Sequence, residues 1–245
     1  MSISLALVAA LTGYLVGSIP FALVITRWFG KGASLHLAEL SVPGIDQLLR
    51  SSSVSATAVR LQLGARYGCL TSILDMAKAA AVTLAFKLAL PEQPVFLVAA
   101  GFATVGHVWP IFHRFRGGRG QSPIIGSMFV LDWPTPLIAY ALAQILGLGF
   151  RSRAFVGRFA PPLLAAGWLF YRFRSLPHVL LCIGWFMIRI IAMRDEIRQY
   201  NQLRKQGALS SFSEEIEMLH LGDRVDRTAR HIMKALRQRR RPPSR

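Results

Sequence analysis

The sequence predicts an all-α fold: a polytopic transmembrane helical bundle of about seven hydrophobic helices, one of them short or re-entrant. Three observations predict it. Hydrophobic residues fill 53% of the 245 positions and charged residues only 17%, whereas soluble domains carry about 25% charged residues. Mean hydropathy is +0.40. The apolar residues also arrive in blocks, and crossing the ~30 Å hydrocarbon core takes about 20 residues of helix.

Taken in order, the blocks are residues 4–25, 69–90, 95–112, 124–131, 137–150, 159–171 and 178–193. The first lacks a charged leader and an A-x-A cleavage site, so residues 4–27 read as a retained span rather than a removed signal. The second is interrupted by Asp75, Lys78 and Lys87. The fourth is too short to cross alone and runs into Asp132-Trp133-Pro134. The Lys/Arg bias of the short loops places the N-terminus outside and the C-terminus in the cytoplasm. Loops 28–66, 113–121 and 151–158 then share the cytoplasmic face with the tail. Arg172 and Arg174 run against this bias. Two units follow: a membrane domain, 1–195, and a basic cytoplasmic tail, 196–245.

From Asp223 to Arg241 the tail sets Val225, Ala229, Ile232, Met233 and Leu236 at helical spacing among Arg and Lys. This reads either as an interfacial amphipathic helix on anionic lipid or as a solvated basic tail. Residues 31–50 read as a variable connection turning at Pro43-Gly44. The net charge of +17 suits anionic headgroups or anionic substrates. Nucleic-acid binding fits the isolated tail better than the whole chain, and no nucleic acid is expected as a partner. Cys69 and Cys182 lie in apolar runs and read as small buried hydrophobes. No metal-ligand spacing, GxSxG, HExxH or P-loop is present, so neither a metal nor a cofactor is expected.

The chemistry-bearing segment is Phe115-Arg116-Gly117-Gly118-Arg119-Gly120. Glycines let an anion approach backbone N–H groups, and successive N–H groups make an anion nest. Arg116 and Arg119 add planar forks that match phosphate oxygens. A helix starting near Ser122-Pro123 would aim its N-terminus at the same place. A positive-inside loop with glycine turns is the plainer reading. Residues 51–57 supply small hydroxyls that either bond a phosphate or are ordinary loop residues. Asp75 and Lys78 share one helix face, as a structural ion pair or as supports for an active-site loop. His107, at a helix end, is either structural or catalytic.

These residues resemble the PlsY family of bacterial membrane glycerol-3-phosphate acyltransferases. Gly13-Tyr14-Leu15-Val16-Gly17-Ser18-Ile19-Pro20-Phe21 looks like that family's first helix, and Asp75-Met76-Ala77-Lys78 like its D-x-x-K segment. Gly106-His107-Val108-Trp109-Pro110-Ile111-Phe112 with Phe115–Gly120 resembles its G-H-x-x-P-x-F…F-K-G-G-K-G motif, both lysines replaced by arginine. The likeness runs over about residues 10–195.

The resemblance implies an acyltransferase-like membrane domain in the bacterial inner membrane. It would move a fatty acyl group from acyl phosphate to the 1-hydroxyl of glycerol 3-phosphate, without metal or acyl-CoA. Its partners would be those two substrates and membrane lipids; it leaves the oligomeric state open. It marks Ser51, His107 and Arg119 as catalytic candidates, and Arg116, Gly117, Gly118, Gly120, Thr57 and Arg60 as phosphate-binding ones.

Two motifs depart from the family pattern. In the first, S-G-N-x-G-A-T-N-x-x-R, the asparagines are replaced by Ser53 and Ala58, glycine by Ser55, and the arginine stands one position early at Arg60. In the third, H-x-x-N-I-x-R, the positions read Met193, Glu196, Ile197 and Gln199. These departures open an alternative: a non-catalytic relative that keeps a site for phosphate or anionic lipid.

Overall fold

The computed structural model describes residues 2–30, 38–41, 48–51, 54–149 and 153–205. The amphipathic segment 223–241 and the Pro43-Gly44 turn lie outside the described residues. The fold is an all-helical membrane bundle. Its helices are α1 (Ile3–Gly17), α2 (Phe21–Phe29), α3 (Ala56–Leu63), α4 (Ala65–Ala89), α5 (Val95–Val108), α6 (Gln121–Leu131), α7 (Pro134–Gly149), α8 (Arg153–Phe173), α9 (Leu176–Ala192) and α10 (Arg194–Lys205). One small antiparallel ribbon interrupts them. It pairs β1 (Ala38–Ser41) with β2 (Leu48–Ser51), with Ala38 opposite Ser51 and Ser41 opposite Leu48.

Among the described residues, three segments are long and apolar enough to cross a membrane: Ile3–Phe29, Ala65–Ala89 and Val95–His113. The first is not one straight helix, as the sequence had implied. It breaks between Gly17 and Phe21, because Pro20 offers no N–H to the ladder and its ring excludes a preceding helical residue. The break frees the Ile19 carbonyl, which accepts a 2.6 Å hydrogen bond from Lys78 Nζ.

α1 lies against α5 with almost no side chain between them. A Cβ at Gly17 would run into the Ala103 carbonyl, and one at Gly13 would meet Ala99 O at 2.5 Å. Gly13 and Gly17, four apart, face Ala99 and Ala103, also four apart. Small residues at this spacing let two membrane helices touch backbone to backbone, which gains dispersion where lipid offers no hydrophobic drive.

α6 stops short for a visible reason. Lys87 Nζ caps its end by donating to the carbonyls of Val130 at 2.5 Å and Leu131 at 3.2 Å. Asp132 then breaks the helix and gathers three donors: Thr135 Oγ1 at 2.8 Å, Trp168 Nε1 at 2.8 Å and Arg172 Nη2 at 3.3 Å. Arg172, one of the two arginines against the loop-charge bias, is thus paired with a carboxylate. Burial opposes ionisation of Asp132, but the bonds from Trp168, Thr135 and Arg172 outweigh it and hold the carboxyl below its ordinary range.

The apolar core between α5, α6, α7, α8 and α9 includes Leu97, Ile124, Met128, Leu169 and Trp185, with Leu169 and Trp185 fully buried. α8 starts six residues before the apolar block that marked it, at Arg153, and carries Pro161 and Pro162 in its interior. That earlier start draws Arg158 into a helix.

Candidate active site

The site is built at the end of α5. Pro110 ends that helix, and a single 3-10 turn, Ile111–His113, follows. Arg114 and Phe115 then take left-handed backbone, with φ of 48° and 59°. Two bonds fold the chain back: Phe115 N–H to the Pro110 carbonyl at 2.9 Å and Arg116 N–H to the His113 carbonyl at 3.0 Å. Gly118 N–H donates to the His107 carbonyl at 3.1 Å, and the Gly117 carbonyl accepts from Val54 N–H at 3.2 Å. A Cβ on Gly118 would overlap the His107 ring, so only glycine allows the loop to lie on it.

This geometry corrects one expectation. The loop does not present an unbroken run of N–H groups as an anion nest, because those of Arg116 and Gly118 are spent in folding it. Its glycines serve close packing, and Arg119 faces the cavity.

Behind the loop lies a buried cluster of Asp75 and Lys78 from α4 and His107 from α5. Asp75 Oδ1 is 2.7 Å from Lys78 Nζ and 3.4 Å from His107 Nδ1. All three side chains are buried. The two readings of the Asp75–Lys78 pair therefore coincide: it is a structural ion pair, and it also holds the ring on which the loop rests.

In front of the loop is a cavity of about 450 Å³, within the range of small-molecule sites. α3 contributes Thr57 and Arg60 to its wall, α4 Ser72 and Asp75, and α5 His107. The loop contributes Arg119, α6 Gln121 and Ser122, α8 Arg158, and α9 Arg189. The segments assigned to one face by their charge thus converge at one end of the bundle. Gly68 lets α4 approach α3, since a Cβ there would meet Arg60 Cβ. Arg60 reaches the cavity despite its displaced place in the motif.

The candidate residues divide. His107, Arg119, Thr57 and Arg60 face this cavity. Arg116, Gly117 and Gly118 line a second space of about 10 Å³, beside Lys78 and Pro20. Gly120 takes φ +79° and caps α6. Ser51 ends β2, and its side chain lies outside the described residues. Arg158 and Arg189 were not picked out by motif reading. Arg189 is the sharper omission: a lone guanidinium in the apolar run of α9 is itself a signal of function in a membrane helix. No cluster of metal-ligating side chains occurs among the described residues.

Arg119 meets Glu196 of α10. Its Nε donates to Oε1 at 2.8 Å, and Nη2 lies 2.6 Å from the same oxygen. Its own carbonyl accepts a long bond, 3.4 Å, from Arg189 Nη1.

A family model described as glycerol-3-phosphate acyltransferase matches residues 7–202, which takes in every helix that lines the cavity. The chain belongs to the glycerol-3-phosphate acyltransferase family. Its curated relatives include a glycerol-3-phosphate acyltransferase of Maricaulis maris, 35% identical over 68% of this chain and 73% of the relative. One from Myxococcus xanthus is 33% identical over 64% of this chain and 76% of its own. The fold matches a crystal structure of PlsY, an integral membrane glycerol 3-phosphate acyltransferase, in its glycerol 3-phosphate form. The TM-score is 0.67 at 24% identity, covering 81% of this chain and 93% of that one. The lysophosphatidic acid form of PlsY matches with a TM-score of 0.65 at 25% identity, over the same shares. This glycerol-3-phosphate acyltransferase relative is therefore an integral membrane protein with the PlsY fold. Its cavity is walled by Arg119 of the glycine-rich loop and by Arg158 and Arg189 from α8 and α9.

Proposed function

We propose that the protein is a bacterial inner-membrane acyltransferase that moves a fatty acyl group from acyl phosphate to the 1-hydroxyl of glycerol 3-phosphate. The observation that carries this reading is the cavity itself. Arg60, Arg119, Arg158 and Arg189 converge on it from four elements, at one end of an apolar bundle, in a chain of the glycerol-3-phosphate acyltransferase family. Such a site suits two anionic reactants, one of them carrying an acyl chain.

The chemistry asks little of the protein beyond placement. Acyl phosphate is a mixed anhydride, already activated. The acceptor oxygen attacks the acyl carbon, a new ester C–O bond forms, and the bond from that carbon to the phosphate oxygen breaks. The hydroxyl proton leaves with the phosphate, so the products are lysophosphatidic acid and hydrogen phosphate. The four guanidinium groups screen the repulsion between the two phosphates and hold the reacting atoms together. Arg119 is the residue assigned to the transferring centre. His107, fixed by Asp75, shapes the cavity wall and supports the loop through Gly118. Thr57 and Arg60 are assigned to phosphate oxygens. Arg116 acts from behind the loop, and Gly117, Gly118 and Gly120 set its path. Ser51 keeps its assignment from the first motif. The cytoplasmic side is the side on which these groups are assigned to work, with the N-terminus outside, the C-terminus and basic tail inside, and the tail against anionic lipid.

The donor is tested directly. Purified protein in lipid is given labelled glycerol 3-phosphate with palmitoyl phosphate, palmitoyl-CoA or palmitoyl acyl-carrier protein. Lysophosphatidic acid is expected with palmitoyl phosphate alone. Product from the thioesters but not from the phosphate overturns the donor assignment.

One observation favours a second reading. The Glu196 carboxylate sits on Arg119, where a substrate phosphate would be held. A relative that binds phosphate or anionic lipid without turnover would tolerate this. It predicts saturable binding of acyl phosphate and no ester product.

A further inference from the structure

We infer that Arg119, Arg158 and Arg189 form a phosphate-monoester subsite, and that the Glu196 carboxylate occupies it in the free protein as an internal competing anion. The inference rests on the proposed function for the identity of the natural ligand, but not for the existence of the site.

The cation set is built rather than incidental. Arg189 is 2% exposed on α9, and its Nε is buried without a hydrogen-bond partner among the described residues. Among the described residues, its Nη1 has the long 3.4 Å bond to the Arg119 carbonyl. A buried guanidinium with donors left over is costly unless an anion completes it. Arg158 enters the same cavity from the first turns of α8. Arg119 closes the group from the loop.

Two carboxylates bear on this group: Asp75 lines the cavity and Glu196 pairs with Arg119. Asp75 is committed to Lys78 and His107. Glu196 stands at the start of α10, one turn after Met193, which lines the cavity. Its Oε1 holds Arg119 through both Nε and Nη2. Arg158 and Arg189 line the same cavity as Arg119, so the one Glu196 carboxylate leaves the site with an excess of positive charge that a phosphate dianion matches better.

The Glu196 side chain is 26% exposed, against 16% for Arg119. It reaches Arg119 from the first turn of α10, three residues beyond Met193 of the cavity wall. Rotation of one partly exposed side chain, or a shift of α10 at the Met193 break, vacates the site without disturbing the core. Binding of a phosphate monoester is then an exchange of one anion for another, and its apparent affinity is reduced by the fraction of time that Glu196 is out.

The test measures binding of inorganic phosphate and of glycerol 3-phosphate by calorimetry, with the full chain in nanodiscs of neutral phosphatidylcholine. Wild type is compared with Glu196→Gln, Arg158→Gln and Arg189→Lys, each checked for an unchanged melting curve. If Glu196 blocks the site nine-tenths of the time, Glu196→Gln tightens both ligands about tenfold. Arg158→Gln weakens both, alone and in the Glu196→Gln background. Arg189→Lys keeps the buried positive charge, and with it the fold, and loses affinity through loss of the fork. Unchanged or weaker binding in Glu196→Gln overturns the inference and makes Glu196 a substrate contact or a strut. Binding of anionic lipid with none of either soluble phosphate overturns the assignment to a soluble monoester. Because no turnover is read, tightening in Glu196→Gln upholds the subsite even if acyl phosphate is not the donor.

Discussion

The Asp75 carboxylate is shared: Oδ1 lies 2.7 Å from Lys78 Nζ and 3.4 Å from His107 Nδ1, on two different helices. Both Asp75 and Lys78 are almost wholly buried. Removing one partner strands the other charge in the bundle. Lys78→Met is expected to destabilise the protein by about 3 kcal/mol, read as a lower melting temperature in detergent or lipid. Asp75→Asn with Lys78→Met is expected to recover part of that loss, because no lone charge remains. A double variant less stable than either single one would show that the pair is not the source of the effect.

Gly118→Ala tests the contact between the loop and His107. The added Cβ overlaps the imidazole ring, so the loop must lift. The helices do not depend on it. The expected outcome is a melting temperature within a few degrees of wild type with turnover down about 100-fold, since small misplacements of catalytic groups cost that much. Wild-type turnover would remove the loop's seat on His107 from the account.

Gly17→Leu tests the close approach of α1 and α5. The Cβ would run into the backbone of Ala103, and overpacking of this kind costs about 1–3 kcal/mol. Reduced folded yield and earlier melting are expected, whereas Gly167→Leu, at a position with open space around it, should be neutral.

The Asp132 carboxyl is held below its ordinary range, its three hydrogen bonds outweighing the effect of burial. A depressed folded pKa contributes stability that is fully present above the unfolded value, about 3.9, and is lost as pH falls through the folded one. The stability gap between wild type and Asp132→Asn should therefore be constant above about pH 5 and shrink below about pH 4. A gap that widens on acidification would contradict the sign.

Much of this was legible in the chain. The apolar blocks located α1 with α2, and α4 to α9, because lipid rewards length and uniformity, which survive in one dimension. The shortness of α6 was legible from Asp132-Trp133-Pro134. The break at Ser18–Pro20 was present in the sequence as Pro20, but a block of apolar residues hid it. The ribbon β1–β2 was not read, since its strands are only four residues each and sit in a segment that reads as a variable connection. In the candidate site, His107 and Arg119 were found because they lie close together in one motif, and Arg60 was found through the likeness of residues 51–60 to the family's first motif. Arg158 and Arg189 were not singled out, because they reach the cavity from α8 and α9, and no spacing within either helix announces the meeting. Glu196 was visible as a departure from a motif, but its partner Arg119 is 77 residues away.

The central claim is that Arg119 serves acyl transfer onto glycerol 3-phosphate. The most direct measurement is lysophosphatidic acid formed per minute from palmitoyl phosphate and labelled glycerol 3-phosphate, by wild type and Arg119→Ala in the same lipid. Loss of one such donor is expected to lower kcat/KM by about 100-fold or more. Equal product from the two proteins would contradict the account.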